Sequence, residues 1–249
     1  MNLILLDDRD RLDSSHVTIS DARAAHLLNV LKVTPGREVR LGWLDGPLGM
    51  GTVISAQDGR VTMQCVFEAD TPPRPRVDVL LALPRPKVMR RLWAQLAALG
   101  VGQIILTNAE RVERHYFDTH ILEEACYRPL LVEGLQQARD TRLPAVSIHR
   151  QFKILVEDHL DTLSGEGLRL AAHPLATTSA SSAVREHPGQ RVLLAIGPEG
   201  GWNAFELALL EAHRFRQFSL GPRTLRVDTA CTALLAIVHA AFEERQRQL

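Results

Sequence analysis

The sequence has little of what would build a disulfide framework or a membrane span. Its 249 residues include three cysteines, Cys65, Cys126 and Cys231, which are too few and too scattered for a disulfide framework or a zinc knuckle. No apolar run approaches the roughly 20 residues that a membrane helix needs. The first ten residues also lack the basic and then apolar order of a signal peptide. We therefore predict a cytoplasmic protein whose cysteines are buried as small apolar side chains.

An excess of charge is also absent, since 29 Lys and Arg residues balance 29 Asp and Glu residues. Overall charge therefore gives no support to a nucleic-acid partner, and binding of that kind would need a local basic patch. His115 and His120 lack the intervening glutamate of a zinc-protease motif, so we expect no bound metal.

A proline-rich stretch, Thr71-Pro72-Pro73-Arg74-Pro75, divides the chain, because these prolines exclude helix and cannot donate to a sheet. We predict two domains, 1–71 and 72–249. In the first, periodicity predicts a helix over 21–31 and strands over 38–43, 52–55 and 60–66. These elements are typical of a small, mostly β barrel.

Beyond the prolines, strands and helices alternate, and the strands are continuous apolar runs rather than alternating ones. Such runs are typical of buried parallel strands, so an α/β sheet covered on both faces is predicted. The predicted strands are 77–83, 104–106, 168–172, 192–196 and 215–220. The predicted helices are 88–99, 118–139, 154–163, 204–212 and 229–244.

Three loops that follow predicted parallel strands are candidate ligand loops, because ligands bind at the carboxyl ends of such strands. One is the glycine-rich stretch 197–201, which precedes an Asn203…Glu206 helix start. The others are 219–229, with two arginines and an aspartate, and His173-Pro174. The alternative for the glycine-rich stretch is structural, since glycine and proline often only turn a chain. The alternative for His173 is a surface histidine without a ligand. No Lys-Ser or Lys-Thr follows the glycines, which excludes a nucleotide-triphosphate loop.

Basic residues cluster at the start of the helix predicted over 88–99, where Arg85 and Lys87 are followed by Arg90 and Arg91. Backbone amides and side chains together could hold a phosphate at such a position. The alternative is a solvated helix face.

Two motifs carry a family resemblance. The stretch 196–201, Ile-Gly-Pro-Glu-Gly-Gly, is followed by Leu-Gly-Pro-Arg at 220–223 and by Leu-Arg before an Asp-Thr-Ala helix start at 228–230. This pair of motifs closely resembles the 16S ribosomal RNA (uracil-N3)-methyltransferase family. Further matches run along nearly the whole chain and include 26–32, Pro35-Gly36, Asp45-Gly46, Lys87, 99–101, Glu110-Arg111, Gln137, Pro144 and His173-Pro174.

The resemblance implies an N-terminal barrel similar to PUA RNA-binding domains and a C-terminal SPOUT-type α/β domain tied in a trefoil knot. It also implies a homodimer, a substrate in the small ribosomal subunit, and S-adenosylmethionine as the cofactor, held largely through backbone groups. The residues that it assigns to the cofactor are Ala172, His173, Pro174, Ile196, Gly197, Pro198, Gly200, Gly201, Ser219, Leu220, Gly221, Leu225 and Thr229.

The resemblance also implies the catalytic roles. Arg226 is expected to orient the uracil and to stabilise the negative charge that develops on its carbonyl oxygen. Asp228 either steers Arg226 or accepts the proton from nitrogen 3, and the sequence leaves both roles open. The basic residues expected to bind RNA, most of them through phosphates, are Arg9, Arg11, Lys32, Arg85, Lys87, Arg90 and Arg223.

The chain departs from the family pattern at several positions. Gln95 and Ala98 replace a usual lysine and glutamate, and Asp228 replaces a usual glutamate. The alternative function is therefore a catalytically silent RNA-binding or ribosome-assembly protein that retains the fold. A nucleotide-dependent dehydrogenase is not favoured, because no Gly-x-Gly-x-x-Gly motif follows a strand.

Overall fold

The computed structural model describes residues 2–187, 189–221 and 223–246. Pro222 of the family motif lies outside the described residues. The chain forms two compact units. Unit 1 contains Met1–Arg74 and Val132–Leu143, and unit 2 contains Pro75–Leu131 and Pro144–Leu249. The domain boundary at 71/72 stays a prediction.

Unit 1 is a five-stranded sheet with one helix. Its elements are β1 Ile4–Leu6, β2 His16–Ile19, α1 Ala22–Asn29, β3 Glu38–Trp43, β4 Leu48–Gln57 and β5 Arg60–Phe67. The strand order is β1-β3-β4-β5-β2. The β1–β3 pair is parallel and the other pairs are antiparallel.

The sheet of unit 1 curls around one core, because every strand contributes a buried apolar residue to the same cluster. These residues include Ile4, Val17, Leu41, Val53 and Val61, with Leu27 of α1 packed among them. Alternation along the strands places these side chains on the inner face. The predicted small β barrel is therefore a curled half-barrel. The strands β1 and β2 are additions to the prediction: β1 is three residues long, and β2 is four.

Residues 132–143 belong with unit 1 because their backbone is bonded to the β3–β4 turn. Asp45 donates its backbone N–H to the Thr141 carbonyl (2.8 Å), and the Thr141 hydroxyl donates to the Gly46 carbonyl (2.7 Å). Asp45 adopts a φ of +57°. This left-handed conformation is one that aspartate tolerates in turns, and an Asp-Gly pair such as 45–46 is typical of them.

Unit 2 is a parallel α/β sheet in the order β11-β9-β10-β6-β7-β8. Its strands are β6 Val77–Ala82, β7 Val101–Thr107, β8 Ala145–His149, β9 Leu168–Ala172, β10 Val192–Ile196 and β11 Phe215–Phe218. Its helices are α2 Pro86–Ala98, α3 Glu124–Ala138, α4 Phe152–Ile154, α5 Leu160–Ser164, α6 Ala180–Glu186, α7 Ala204–Ala212 and α8 Val227–Gln246, and the last turns of α3 count with unit 1.

The apolar runs of the sequence are the central strands of this sheet. Every residue of β6 and β10 is buried, as in parallel strands that are covered on both faces, and the one charged residue among them is Asp78. α2 packs against β7, and α8 packs against β10 and α6. Among the described residues, no helix combines the length and the apolar character that crossing a membrane requires.

Several predicted helices differ in the structure. The helix predicted over 118–139 begins only at Glu124, and two short 3₁₀ turns, Arg114–Asp118 and His120–Leu122, precede it. The helix predicted over 154–163 is interrupted by the π-helical turn Leu155–His159. The strand β8 and the helix α6 are further additions to the prediction.

The three cysteines are free thiols, and two of them are buried as predicted. Cys65 on β5 and Cys231 on α8 lie in the core, and burial raises the pKa of Cys65 to about 11 and of Cys231 to about 12. Cys126 on α3 is only half-buried, so the prediction of burial is wrong for that residue.

Candidate functional site

The loops that follow β9, β10 and β11 meet at one edge of the sheet, because these strands are neighbours and run in the same direction. His173 donates its backbone N–H to the Phe218 carbonyl at 2.9 Å. Ser219 donates its backbone N–H to the Thr178 carbonyl (2.9 Å) and its hydroxyl to the Pro174 carbonyl (3.1 Å). The backbone itself therefore fixes the relative positions of the β9 and β11 loops.

These loops enclose a cavity of about 350 Å³, within the size range of small-molecule sites. Most of the residues assigned to the cofactor line it together: Ala172, His173, Pro174, Ile196, Gly197, Pro198, Gly200, Gly201, Leu220, Gly221 and Leu225.

Two residues assigned to the cofactor lie elsewhere. Ser219 lines a neighbouring cavity with residues of the 176–181 segment, and its hydroxyl serves the loop backbone. Thr229 is exposed on the first turn of α8. Their roles toward the cofactor stay predictions.

The glycine-rich loop after β10 is shaped by its own backbone. Gly201 has a φ of +73° and donates its N–H to the Pro198 carbonyl at 2.8 Å, which closes a tight turn. A Cβ at Gly201 would meet no protein atom within 4 Å, so the backbone is open on that side. This conformation strongly favours glycine.

A capping box starts α7 directly after the glycine-rich loop, as the sequence predicts. Asn203 Oδ1 accepts from the Glu206 N–H at 2.8 Å, and Glu206 Oε2 accepts from the Asn203 N–H at 2.8 Å. The buried Glu206 carboxylate also accepts the backbone N–H of Glu110 at 2.7 Å through Oε1. The loop that follows β7 is thereby bonded to the start of α7.

Trp202 is a functional candidate that sequence reasoning missed. It lines the cavity, it is buried, and its Nε1 has no hydrogen-bond partner within the part of the chain that the structure describes. A buried indole N–H normally has an acceptor. The wall of the cavity therefore contains a donor without a partner, and the residues present fit a polar organic cofactor that supplies an acceptor.

Arg111 is a second residue missing from the predicted site. It follows β7, lines the cavity, and donates from Nη1 to the Gly200 carbonyl. The rule that ligands bind at the carboxyl ends of strands also applies to β7, so the position of Arg111 after the predicted strand 104–106 is the signal for it in the sequence. Arg111 places a positive charge at the glycine-rich loop.

Arg226 and Asp228 lie beside the cavity rather than in its lining. The Arg226 side chain is 78% exposed, and its Nε lies 3.9 Å from Asp228 Oδ1. Arg91 on α2 donates from Nη2 to Asp228 Oδ2 at 2.9 Å. Partial burial raises the pKa of Asp228, but the bonds from Arg91 and the Thr229 N–H and the charges of both arginines outweigh it and leave that pKa below its ordinary value.

The residues predicted to bind RNA are all solvent-accessible, and they lie in both units. Arg85, Lys87 and Arg90 are exposed at the start of α2, and Arg223 lies on the cavity rim. In unit 1, Lys32 is exposed, while Arg11 stacks on Trp43 with 4.3 Å from Cζ to the ring centroid.

Arg9 has a carboxylate partner in its own turn. Its Nη2 lies 2.6 Å from Asp7 Oδ2, and its hydrogen bond to that carboxylate is the largest of several effects that leave the pKa of Asp7 below its ordinary value. Its contact with RNA stays a prediction. The described residues hold no cluster of three or more His, Cys, Asp or Glu side chains placed to ligate a metal ion.

Comparison with known proteins gives a consistent result. Residues 71–239 match the family model described as RNA methyltransferase domain. The chain is 29% identical to the ribosomal RNA small subunit methyltransferase E of Treponema pallidum, covering 100% of this chain and 94% of that protein. It is 25% identical to the ribosomal RNA small subunit methyltransferase E 1 of Borreliella burgdorferi, covering 94% and 95% of the two chains.

The fold is shared with the solved structure of a protein that has the same name as these relatives. The ribosomal RNA small subunit methyltransferase E of Neisseria gonorrhoeae, bound to S-adenosyl methionine, superposes with a TM-score of 0.77. The superposition covers 96% of this chain and 97% of the Neisseria gonorrhoeae chain, at 20% sequence identity.

Proposed function

Because the chain belongs to the RNA methyltransferase domain family, we propose that it methylates nitrogen 3 of a uridine in the 16S ribosomal RNA of the small ribosomal subunit, with S-adenosylmethionine as the methyl donor. The observation that carries this proposal is the cavity at the β9, β10 and β11 loops. Relatives named for methylation of the small-subunit RNA match this chain over nearly its whole length, and a neighbour with the same fold binds S-adenosyl methionine.

The cofactor would be held by the backbone of the three loops, with Gly201, whose Cβ side is open, allowing close approach. The Trp202 indole N–H would donate to one of its acceptors, since that donor is otherwise unpartnered among the described residues. When bound, S-adenosylmethionine supplies an electrophilic methyl group. The task of the protein is then to align the uracil and to help remove its proton.

Arg226 is suited to the uracil rather than to the cofactor. Its exposed guanidinium, beside the cavity, is free to meet a base that arrives from solvent. A fixed positive charge would repel a sulfonium but stabilise a carbonyl oxygen that gains negative charge as the proton leaves.

Of the two roles left open for Asp228, its surroundings support the steering of Arg226. Arg91 and the Thr229 N–H both donate to its carboxylate, and its pKa lies below the ordinary value. A carboxylate stabilised in its charged form is a weak proton acceptor. We therefore assign Asp228 to positioning Arg226.

The exposed basic residues at the start of α2, together with Arg223, would hold phosphates of the RNA. Such contacts add affinity that decreases with salt, and they carry little sequence information. Because the net charge of the chain is zero, this local cluster is the electrostatic feature that supports an RNA partner.

The alternative of a catalytically silent protein rests on Gln95, Ala98 and Asp228. Asp228 is the residue assigned above to positioning Arg226, whereas Gln95 and Ala98 lie on another helix. Both are exposed on α2, and neither lines the cavity. These departures therefore do not alter the proposed cofactor site.

Methyl transfer separates the two functions. Small ribosomal subunits that lack the modification would be incubated with the protein and labelled S-adenosylmethionine, and the product nucleotide would be identified by mass spectrometry. We expect label at nitrogen 3 of one uridine of 16S ribosomal RNA. Cofactor binding without transfer would support the silent protein instead.

We further propose that the protein acts in the cytoplasm as a homodimer that uses α8. Leu234, Leu235 and Val238 of this helix are buried within the chain, but Ile237 and Phe242 stay partly exposed. A helix that is apolar over so wide an arc suits burial on two sides. Light scattering at micromolar concentration should give the dimer mass, and a monomer would contradict the proposal.

A further inference from the structure

Apart from the cavity at Ser219, another cavity, of about 290 Å³, lies beside the cofactor cavity, and we call it the second cavity. The loop after β7 borders both, since Arg111 lines the first cavity while Glu110 lines the second. The stacked rings of Trp202 and Phe152, with centroids 5.3 Å apart, also belong one to each lining. A molecule in the second cavity would therefore sit one side chain away from the methyl-transfer site.

The second cavity holds a polar group that lacks a partner. Asn108, the first residue after β7, lines it, and the buried Oδ1 of this side chain has no hydrogen-bond partner within the described ranges. The Glu206 carboxylate, by contrast, already accepts the backbone N–H groups of Glu110 and Asn203. The Asn108 amide thus has hydrogen-bonding capacity that the described residues leave unused at the wall of the cavity, and an amide can pair with the donor and acceptor edge of a base.

An exposed aromatic ring stands at the same cavity. Phe205, on the first turn of α7, lines it and is 57% exposed. More than half of the surface of this residue is therefore accessible to a ligand from solvent. Aromatic rings of this kind stack on the unpaired bases of single-stranded RNA.

Charged residues frame the cavity without giving it one sign. The lining contains the cations Arg114 and Lys153 as well as the carboxylates Glu110 and Glu206. Lys153 also lies 3.8 Å from Glu157, in a solvent-exposed and therefore weak ion pair. Since the charges balance, the lining does not select for a phosphate, and its aromatic and amide groups are the ones that suit a base.

We propose that this second cavity binds one unpaired nucleotide of the RNA that flanks the target uridine, with Phe205 stacking on its base and Asn108 pairing with its edge. The proposal rests on the proposed function for the identity of the RNA. It adds a specificity subsite beyond the methyl-transfer site.

The test is Phe205→Ala in the full chain, with steady-state transfer to unmodified small ribosomal subunits. Loss of one stacked base should raise KM for the subunits by at least about fivefold, while kcat and the affinity for S-adenosylmethionine stay within about twofold. Asn108→Ala should also raise KM for the subunits. Phe205→Trp keeps an aromatic ring, so its KM should equal that of the parent protein. Ile154→Ala, which removes a 42% exposed apolar side chain outside both cavities, is the matched control.

A second measurement keeps this proposal separate from the proposed function. Binding of fluorescently labelled hexauridylate would be measured for the parent protein and Phe205→Ala. Weaker binding by the variant supports the subsite even if the parent transfers no methyl group. Unchanged KM and unchanged oligonucleotide affinity in both Phe205→Ala and Asn108→Ala, with cofactor binding intact, would overturn it. If the parent protein binds neither the small ribosomal subunits nor hexauridylate, the proposal is overturned as well.

Discussion

Arg91 on α2 donates a hydrogen bond to Asp228 on α8, with 2.9 Å between Nη2 and Oδ2, although the residues lie 137 positions apart in the sequence. Arg91 belongs to the basic cluster that the sequence suggests for phosphate, yet it pairs with a carboxylate of its own chain. The bond ties the start of α8, and with it Arg226, to a helix of the same unit. It also stabilises the charged form of Asp228.

Asp228→Asn is predicted to lower kcat for methyl transfer without changing the shape of its pH profile. The reason is that the carboxylate positions Arg226 and is too weak a base to take the uracil proton. Loss of a bond to a charged group should lower kcat by about tenfold or more. Transfer to small ribosomal subunits would be followed between about pH 6 and pH 9.

Arg91→Met is the companion variant for that experiment. It removes a donor but leaves the carboxylate, so kcat should also fall and the pKa of Asp228 should rise, which NMR titration can follow. If Asp228→Asn instead removes a limb of the pH profile that Arg91→Met preserves, Asp228 accepts the proton.

Gly201→Val is predicted to weaken the binding of S-adenosylmethionine by at least about tenfold, because the added side chain enters the space that the cofactor needs. The φ of +73° also makes valine strained at this position, at about 1 to 3 kcal/mol. Calorimetry would measure the affinity, and thermal unfolding would measure the strain.

Gly36→Val separates these two effects. Gly36 has a φ of +88°, and a Cβ added there would meet no protein atom within 4 Å, as at Gly201, but this glycine lies in unit 1. Both variants should melt at lower temperature, and only Gly201→Val should lose the cofactor. Equal affinities in two folded variants would place the cofactor elsewhere.

The sequence predicts the buried strands well because burial on both faces leaves a continuous apolar run. β10 is apolar throughout, and β6 is interrupted only by Asp78, which pairs with Arg191; every residue of both strands is buried. β8 escaped prediction because it is an edge strand whose residues are exposed or half-buried, so its composition is mixed. The apolar pattern therefore predicts burial and does not predict strand formation as such.

The candidate site also has one part that the sequence predicts and another that it does not. The glycine-rich loop is visible in the sequence because its backbone demands glycine, and its position follows from the direction of the strands. Arg111 and Gly200 are 89 positions apart, so their contact depends on the pairing of β6, β7 and β10 across the sheet. No local pattern contains that information.

The free energy of unfolding is predicted to fall as the pH drops from about 7 to about 5, because two partly buried histidines resist protonation. Burial is the main cause that lowers the pKa of both His149 and His239. The unfolded chain then binds more protons below about pH 6.5, so their contribution is present above that pH and is lost below it.

Chemical denaturation at several pH values would measure this dependence. His149→Leu and His239→Leu should each flatten it, whereas replacement of the exposed His115 by Gln serves as the control. If neither buried-site variant changes the slope, other groups control acid stability.

The surroundings of Arg226 separate binding from chemistry. Its neighbours Leu225 and Val227 line the cofactor cavity, but its own side chain does not, and it is 78% exposed. The Arg226 carbonyl also accepts the Ala230 N–H at 2.8 Å in the first turn of α8, a bond that any residue at this position can make. Replacement of the side chain should therefore preserve the loop.

Arg226→Ala is predicted to reduce methyl transfer by roughly a hundredfold or more, since loss of one donor to a developing oxyanion costs about 3 kcal/mol. The affinity for S-adenosylmethionine should change by no more than a few fold, because backbone groups hold the cofactor. Single-turnover transfer to small ribosomal subunits and calorimetry with the cofactor measure the two quantities. Arg90→Ala, which removes an exposed cation of α2, is the control for a loss of charge alone, and it should raise KM and its salt dependence instead. Near-normal turnover in Arg226→Ala, or a parallel loss of cofactor affinity in a folded protein, would assign the uracil to another residue.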